Sequence, residues 1–237
     1  MEDLINDYNQ AYHALSASPF TSSCIIYEPD NRKEGTLCKM ELTGFDGYFF
    51  PHQLASDLSS FVKISTTVKD GNGKKTGEGK LSDGKEHLLV KDCDGIIFFE
   101  KDEHKYMLFC ELKSSYINTE IYKAKDQICA SYIKMKALMG TLQKFNLQDF
   151  VPIGIIFSYE PNSEEKVFNS KIYQKDCNSF PEKLRMHKRV YLSKSDHKKA
   201  FPIFNMDEIT MYYCAVPSGY GEYSVNISRI LQDNNEM

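Results

Sequence analysis

Residues 88–132 read LLVKDCDGIIFFEKDEHKYMLFCELKSSYINTEIYKAKDQICASY, and the fold follows from this stretch. Two apolar runs, Ile96–Phe99 and Tyr106–Cys110, flank the polar segment Glu100–Lys105. Strong strand formers on either side of a charged turn predict a β-hairpin. Placing Phe98 opposite Met107 brings Asp94 opposite Glu111 and Asp92 opposite Lys113. Side chains alternate between faces along a strand, so Glu111 and Lys113 share a face. Directly opposed residues share a face as well, which adds Asp94 to it. One end of the hairpin is therefore expected to gather two carboxylates and an ammonium group.

That grouping has a chemical use. Two neighbouring carboxylates repel each other and are reconciled by a cation between them. Hard oxygen ligands suit Mg²⁺ or Mn²⁺. A nearby lysine can orient an attacking water and stabilise charge developing on a phosphate. The plain alternative is a hairpin whose exposed end carries ordinary charges, since a Glu-x-Lys triplet alone is common. The context adds weight: an Asp heads the first apolar strand, and the second runs into Glu111-Leu112-Lys113. A polar linker, Ser114–Thr119, then leads into a helix carrying Gln127. Lys113, at a strand end beside Ser114 and Ser115, is expected to lie outside the core packing.

At these residues the chain resembles the PD-(D/E)xK nuclease superfamily. That pattern is an Asp at the start of one strand, Glu-x-Lys on the next, then a helix that often carries Gln. Asp94, Glu111, Lys113 and Gln127 match those positions, while Cys93 stands where a Pro usually precedes the Asp. The resemblance spans about 70 residues, roughly 88–158. It implies that Asp94 and Glu111 hold Mg²⁺ or Mn²⁺, with the main-chain carbonyl of Leu112 as a further ligand. It implies that Lys113 aligns the water and that Gln127 orients the metal shell or the substrate. Some relatives add an acidic ligand from an early helix, but no such residue is singled out here.

Working outward, residues 2–16 show an i, i+3, i+4 apolar stripe through Leu4, Ile5, Tyr8, Ala11, Tyr12 and Leu15 and are expected to be helical. Cys24–Tyr27, Gly35–Leu42 and Gly44–Phe50 are candidate strands of a small β-rich insertion, with a second helix over Gln53–Ile64. The segment 69–86, KDGNGKKTGEGKLSDGKE, resembles a mobile loop or hairpin tip, and Lys74, Lys75 and Lys80 within it can reach phosphate. It lacks the Gly-Lys-Ser/Thr opening of a nucleotide-binding loop. Thr119–Phe145 gives the clearest helix, with Ile121, Ile128, Tyr132, Met135 and Leu138 on one face. Lys123, Lys125, Lys134 and Lys136 are placed mostly elsewhere on its circumference. Val151–Tyr159 is a nearly continuous apolar run, as in strands covered on both faces. Lys188–Leu192, Ala200–Phe204 and Ile209–Val216 are further short apolar pieces.

The composition, 41% hydrophobic and 13% aromatic, supports a packed core. The first residues are acidic and lack an apolar signal core, and no apolar run approaches membrane-span length. Seven cysteines without Cys-x-x-Cys spacing read as free thiols in a reducing compartment, so a cytoplasmic protein is expected. No signature surrounds any of them that would support a cysteine nucleophile.

The net charge of −4 runs against a general affinity for nucleic acid. The balance is uneven, however. Lys166–Lys199 holds ten Lys/Arg against three Asp/Glu. Lys74, Lys75, Lys123, Arg185, Lys188 and Arg189 are the candidate contacts to a phosphate backbone.

The fold expected is α/β: a restriction-endonuclease-like core with a mixed β-sheet flanked by helices, plus the small β-rich insertion. A single domain is expected, with its core at 88–158, the insertion at 24–86 and a basic C-terminal elaboration at 160–230. The expected activity is Mg²⁺- or Mn²⁺-dependent hydrolysis of phosphodiester bonds, with DNA as substrate and prokaryotic defence as the setting. A partner protein or homo-oligomer is expected to supply recognition, without a membrane. The rival is a non-catalytic interaction subunit that keeps a nuclease-like fold.

Overall fold

The computed structural model describes residues 1–28, 36–50, 91–160, 179–196, 206–217 and 222–232. Lys74, Lys75, Lys80 and the expected helix Gln53–Ile64 lie outside these residues, as does the expected strand Ala200–Phe204. In chain order the elements are α1 (Glu2–Ala11), β1 (Ser18–Phe20), β2 (Ser23–Tyr27), β3 (Lys39–Thr43), β4 (Gly47–Phe50), β5 (Gly95–Lys101) and β6 (His104–Lys113). Then come α2 (Asn118–Met139), β7 (Phe150–Tyr159), α3 (Phe180–His187), β8 (Arg189–Leu192), β9 (Ile209–Val216), β10 (Glu222–Asn226) and α4 (Ile227–Gln232).

The hairpin forms in the expected register, with Phe98 opposite Met107 and Gly95 opposite Cys110. The connection is tighter than the sequence suggests. Only Asp102 and Glu103 intervene, both with positive φ, 49° and 65°. Two left-handed central residues define the turn whose twist matches the flanking strands.

Seven strands make one mixed sheet, in the order β1-β4-β5-β6-β7-β9-β8. β6, β7 and β9 run parallel, and the other pairings are antiparallel. The parallel β6–β7 pair requires a crossover, which α2 supplies. Both faces are covered, so β6 and β7 read as apolar runs rather than alternating ones. One face packs Phe98, Phe109, Ile156 and Met211 against α1, α2 and α3 through Tyr8, Ile128, Tyr132 and Leu184. The other packs Leu108, Cys110, Leu112 and Phe157 against a three-stranded sheet, β10-β3-β2, and against α4. Each fully buried phenylalanine or leucine in these layers contributes about 1.5–3 kcal/mol of transfer free energy. Gly154 leaves room for its neighbours on β9 and α2: a Cβ there would clash with Met211 Sδ and sit 2.9 Å from Ile128 Cγ2.

The strands expected in the β-rich insertion divide between both sheets. β4 extends the main sheet beside β5, while β2 and β3 join the small sheet. Likewise β9 and β8 complete the main sheet from the segment read as a basic elaboration, and β10 pairs in parallel with β3. The N-terminal helix stops at Ala11 and gives way to a short 3-10 turn, His13–Leu15. α2 ends at Met139, where the Gly140 N–H bonds to the Lys136 carbonyl at 2.9 Å. Among the described residues no helix is long and apolar enough to cross a membrane. The described cysteines are free thiols, four of them buried.

Candidate active site

Strand β6 is apolar on both faces from Tyr106 to Cys110, and Glu111 and Lys113 then carry charge into the interior. Glu111 is fully buried, Lys113 is 6% exposed and Asp94 is 4% exposed. The lysine therefore lies inside the packed structure, which corrects the expectation that it stands outside. Its stem is surrounded and its ammonium group makes an ion pair with Glu111 Oε1. A second bond runs from Lys113 Nζ to Gln127 Oε1 at 3.1 Å.

Asp94 sits one residue before β5. Its Oδ2 accepts the Leu112 N–H at 2.7 Å, which ties the start of one strand to the end of the next. Continuing the register from Gly95 and Cys110 brings Asp94 opposite Glu111, as expected. The further pair, Asp92 with Lys113, does not form. Asp92 instead turns to α2, where its carboxylate pairs with Lys134 and accepts from Ser131 Oγ at 3.3 Å. Lys134 stands off the apolar face of the helix, as expected, yet it is only 2% exposed. Burial lowers its proton affinity, against the opposing pull of Asp92.

Gln127 is a joint of the site. It accepts from Lys113, and its Nε2 donates to the Asp92 carbonyl at 2.8 Å. The Leu112 side chain belongs to the core on the opposite face.

The electrostatics follow from burial. Desolvation pushes the Glu111 carboxyl well above the usual carboxylate range, and the Asp94 charge pushes it further, with Lys113 pulling the other way. Burial pulls the Lys113 ammonium down, but the charge and hydrogen bond of Glu111, then Asp94, more than offset it and leave it raised. Glu28 acts on both groups as a third carboxylate. It lies just past β2, with its N–H bonded to the Cys38 carbonyl at 3.0 Å. No sequence signal pointed to it, because it is distant in the chain and stands before an unremarkable turn.

Glu111 Oε2 is buried and, among the described residues, has no hydrogen-bond partner. Such an acceptor is costly unless something fills the place of the missing donor. Among the described residues no three His, Cys, Asp or Glu side chains form a complete cage. Mg²⁺ does not need one, since it keeps several waters and is commonly held by one or two carboxylates. The orphaned oxygen, the neighbouring Asp94 and the local negative charge fit a hard divalent cation. They do not fit thiolate chemistry: burial raises the Cys93 and Cys110 thiols, and Cys24 is pushed up to about 12.

The basic candidates are divided by the sheet. Ser158 stands beside Lys113 in the β6–β7 register, and its Oγ donates to the Tyr213 hydroxyl at 3.2 Å. Lys188 Nζ lies 4.6 Å from the centre of the Tyr213 ring, which brings this exposed lysine to the face of the sheet that carries the site. Arg185 also acts on Tyr213 and pairs with Glu182 at 3.0 Å. Arg189 lies over Tyr212, 5.7 Å from its ring, on the opposite face. Lys123 is exposed on the first half of α2.

Comparison with protein-family models, curated proteins and solved structures returned no match.

Proposed function

We propose that this chain is a metal-dependent nuclease with a restriction-endonuclease-like core of the PD-(D/E)xK type, hydrolysing phosphodiester bonds in DNA. The observation that carries the reading is the convergence of Asp94, Glu111, Lys113 and Gln127 at one end of the hairpin, with Glu111 Oε2 buried and unpartnered.

Asp94 and Glu111 would hold the cation, with the Leu112 carbonyl as the further ligand that the resemblance implies. Bound Mg²⁺ or Mn²⁺ supplies Lewis-acid activation of water and neutralises charge on the phosphate. The Lys113 ammonium, held beside Glu111 and Gln127, would donate to the attacking water or to a phosphoryl oxygen. Gln127 keeps the ammonium aimed, because its own amide is fixed to the Asp92 carbonyl. Lys188 and Arg185 extend the positive surface on the same side, and Lys123 lies on the adjoining helix. With a net charge of −4, a second subunit or partner protein completes the contacts to DNA. A cytoplasmic setting in prokaryotic defence is consistent with this chemistry.

The experiment is cleavage of supercoiled plasmid by the purified chain, with its native partners where these co-purify. Mg²⁺, Mn²⁺ and EDTA are compared, with Glu111→Ala beside the wild type. Nicking that needs the metal and disappears in the variant is expected. Absence of cleavage in every metal, with partners present, would favour a non-catalytic interaction subunit.

A further inference from the structure

We infer that Ser131 and Lys134 are positioning residues that set Asp94 by clamping the chain immediately before it. The clamp is a polar stripe on α2. Gln127, Ser131 and Lys134 follow an i, i+4, i+7 spacing, so they lie along one side of the helix. All three turn towards residues 91–93. Lys134 Nζ donates to the Lys91 carbonyl at 2.6 Å and pairs with the Asp92 carboxylate. Ser131 Oγ accepts the Cys93 N–H at 2.9 Å and donates to Asp92 Oδ1. Gln127 Nε2 donates to the Asp92 carbonyl. Lys91 adds an outer contact, its Nζ lying 3.4 Å from Asp126 Oδ2.

These bonds take the place of a β-ladder. The pairing of β5 with β6 begins at Gly95, so residues 91–94 have no ladder with β6 to hold them. Buried backbone groups need partners, and here α2 side chains provide them. The residue that follows the clamped segment is Asp94, whose Oδ2 accepts the Leu112 N–H of β6. The strand beside it holds its carboxylate, and the helix behind it holds the backbone that leads into it.

A buried ammonium is a poor way to gain stability, because an apolar residue of similar volume commonly does as well. Lys134 spends its charge on fixing a backbone carbonyl and a carboxylate two residues from Asp94. That is how outer residues orient the groups that touch a metal. The role assigned to Asp94 rests on the proposed nuclease reading, but the anchoring is a property of the chain itself and is measured separately.

The test uses amide hydrogen exchange by NMR on the metal-free full chain, alongside Mn²⁺ titration. In Lys134→Met the Leu112 and Cys93 amides should exchange at least ~10-fold faster, while Leu108 and Phe109 in the body of β6 stay within about 2-fold. Mn²⁺ affinity should fall about 10- to 100-fold, the range found when outer residues of a metal site are lost. Lys134→Arg, which keeps the charge and the donors, should recover both readouts. Ser131→Ala provides a milder lesion that speeds exchange at Cys93 and Leu112, and it decides the matter if Lys134→Met does not fold. Unchanged exchange at Leu112 in both Lys134→Met and Ser131→Ala overturns the inference. A wild type that takes up no Mn²⁺ removes the nuclease reading, and the exchange data alone then decide the clamp.

Discussion

Replacing Glu111 with Gln should abolish metal binding and yet stabilise the metal-free protein. The side chain is fully buried, its Oε2 lacks a partner, and Asp94 and Glu28 add negative charge nearby. An unsatisfied buried acceptor costs about 1–3 kcal/mol. Gln is isosteric, carries no charge, and presents donors where the orphaned oxygen stands. Lys113 loses its ion pair but keeps Gln127 Oε1 at 3.1 Å and the field of Asp94 and Glu28. The raised proton affinity of Glu111 shows which effect wins: the fold favours the neutral group.

The sign of the pH dependence follows. A carboxyl raised above its ordinary value of 4.5 contributes stability that is full below that value and is lost as pH rises through the folded value. Gln does not titrate, so the gap between variant and wild type should widen with pH. At about pH 8 a gain of about 1–3 kcal/mol corresponds to roughly 2–12 °C in Tm for a chain of this size. Near pH 5 the gap should shrink towards zero. The assay is thermal melting in EDTA across this pH range. A Gln variant that melts at or below the wild type at pH 8 would refute the reasoning.

Lys113→Ala should lose cleavage and also destabilise at pH 8, by up to about 3–5 kcal/mol, because the buried Glu111 must then take up a proton or stand without its ammonium; denaturant melts at pH 5 and 8 should show the smaller loss at low pH, where protons are plentiful. Gly154→Ala should cost about 1–3 kcal/mol by crowding Met211 on β9 and Ile128 on α2, measured as a lower midpoint in urea with an unchanged slope. DNA affinity should fall steeply with salt, and Lys188→Glu should weaken it more than Arg189→Glu, since the two lie on opposite faces of the sheet; fluorescence anisotropy over a salt series checks both, and equal effects would move the footprint elsewhere.

The hairpin and its register were legible because Ile96–Phe99 and Tyr106–Cys110 are strand formers of matching length around a charged turn. The turn itself was less so. Asp102 and Glu103 adopt left-handed conformations without the Gly or Asn that usually announces them. The small sheet was not legible, because β3 finds β10 from the far end of the chain and no local pattern encodes that pairing. Asp94, Glu111, Lys113 and Gln127 could be placed from hairpin geometry and resemblance. Glu28 could not, since only the packing of the second sheet brings it near. Lys134 was rightly set off the apolar stripe, but its burial was not foreseen. Its spacing from Gln127 and Ser131 puts it on the inner side, where Asp92 supplies the counter-charge.

The most direct measurement is calorimetric titration of the metal-free chain with Mn²⁺ at pH 7, in two buffers of different ionisation enthalpy. Cation and proton compete for Glu111, so binding should release protons and should tighten as pH rises. Asp94→Ala and Glu111→Ala should each weaken binding strongly. Equal affinity in the wild type and both variants, or binding without proton release, would contradict the claim that these two carboxylates form a divalent-metal site.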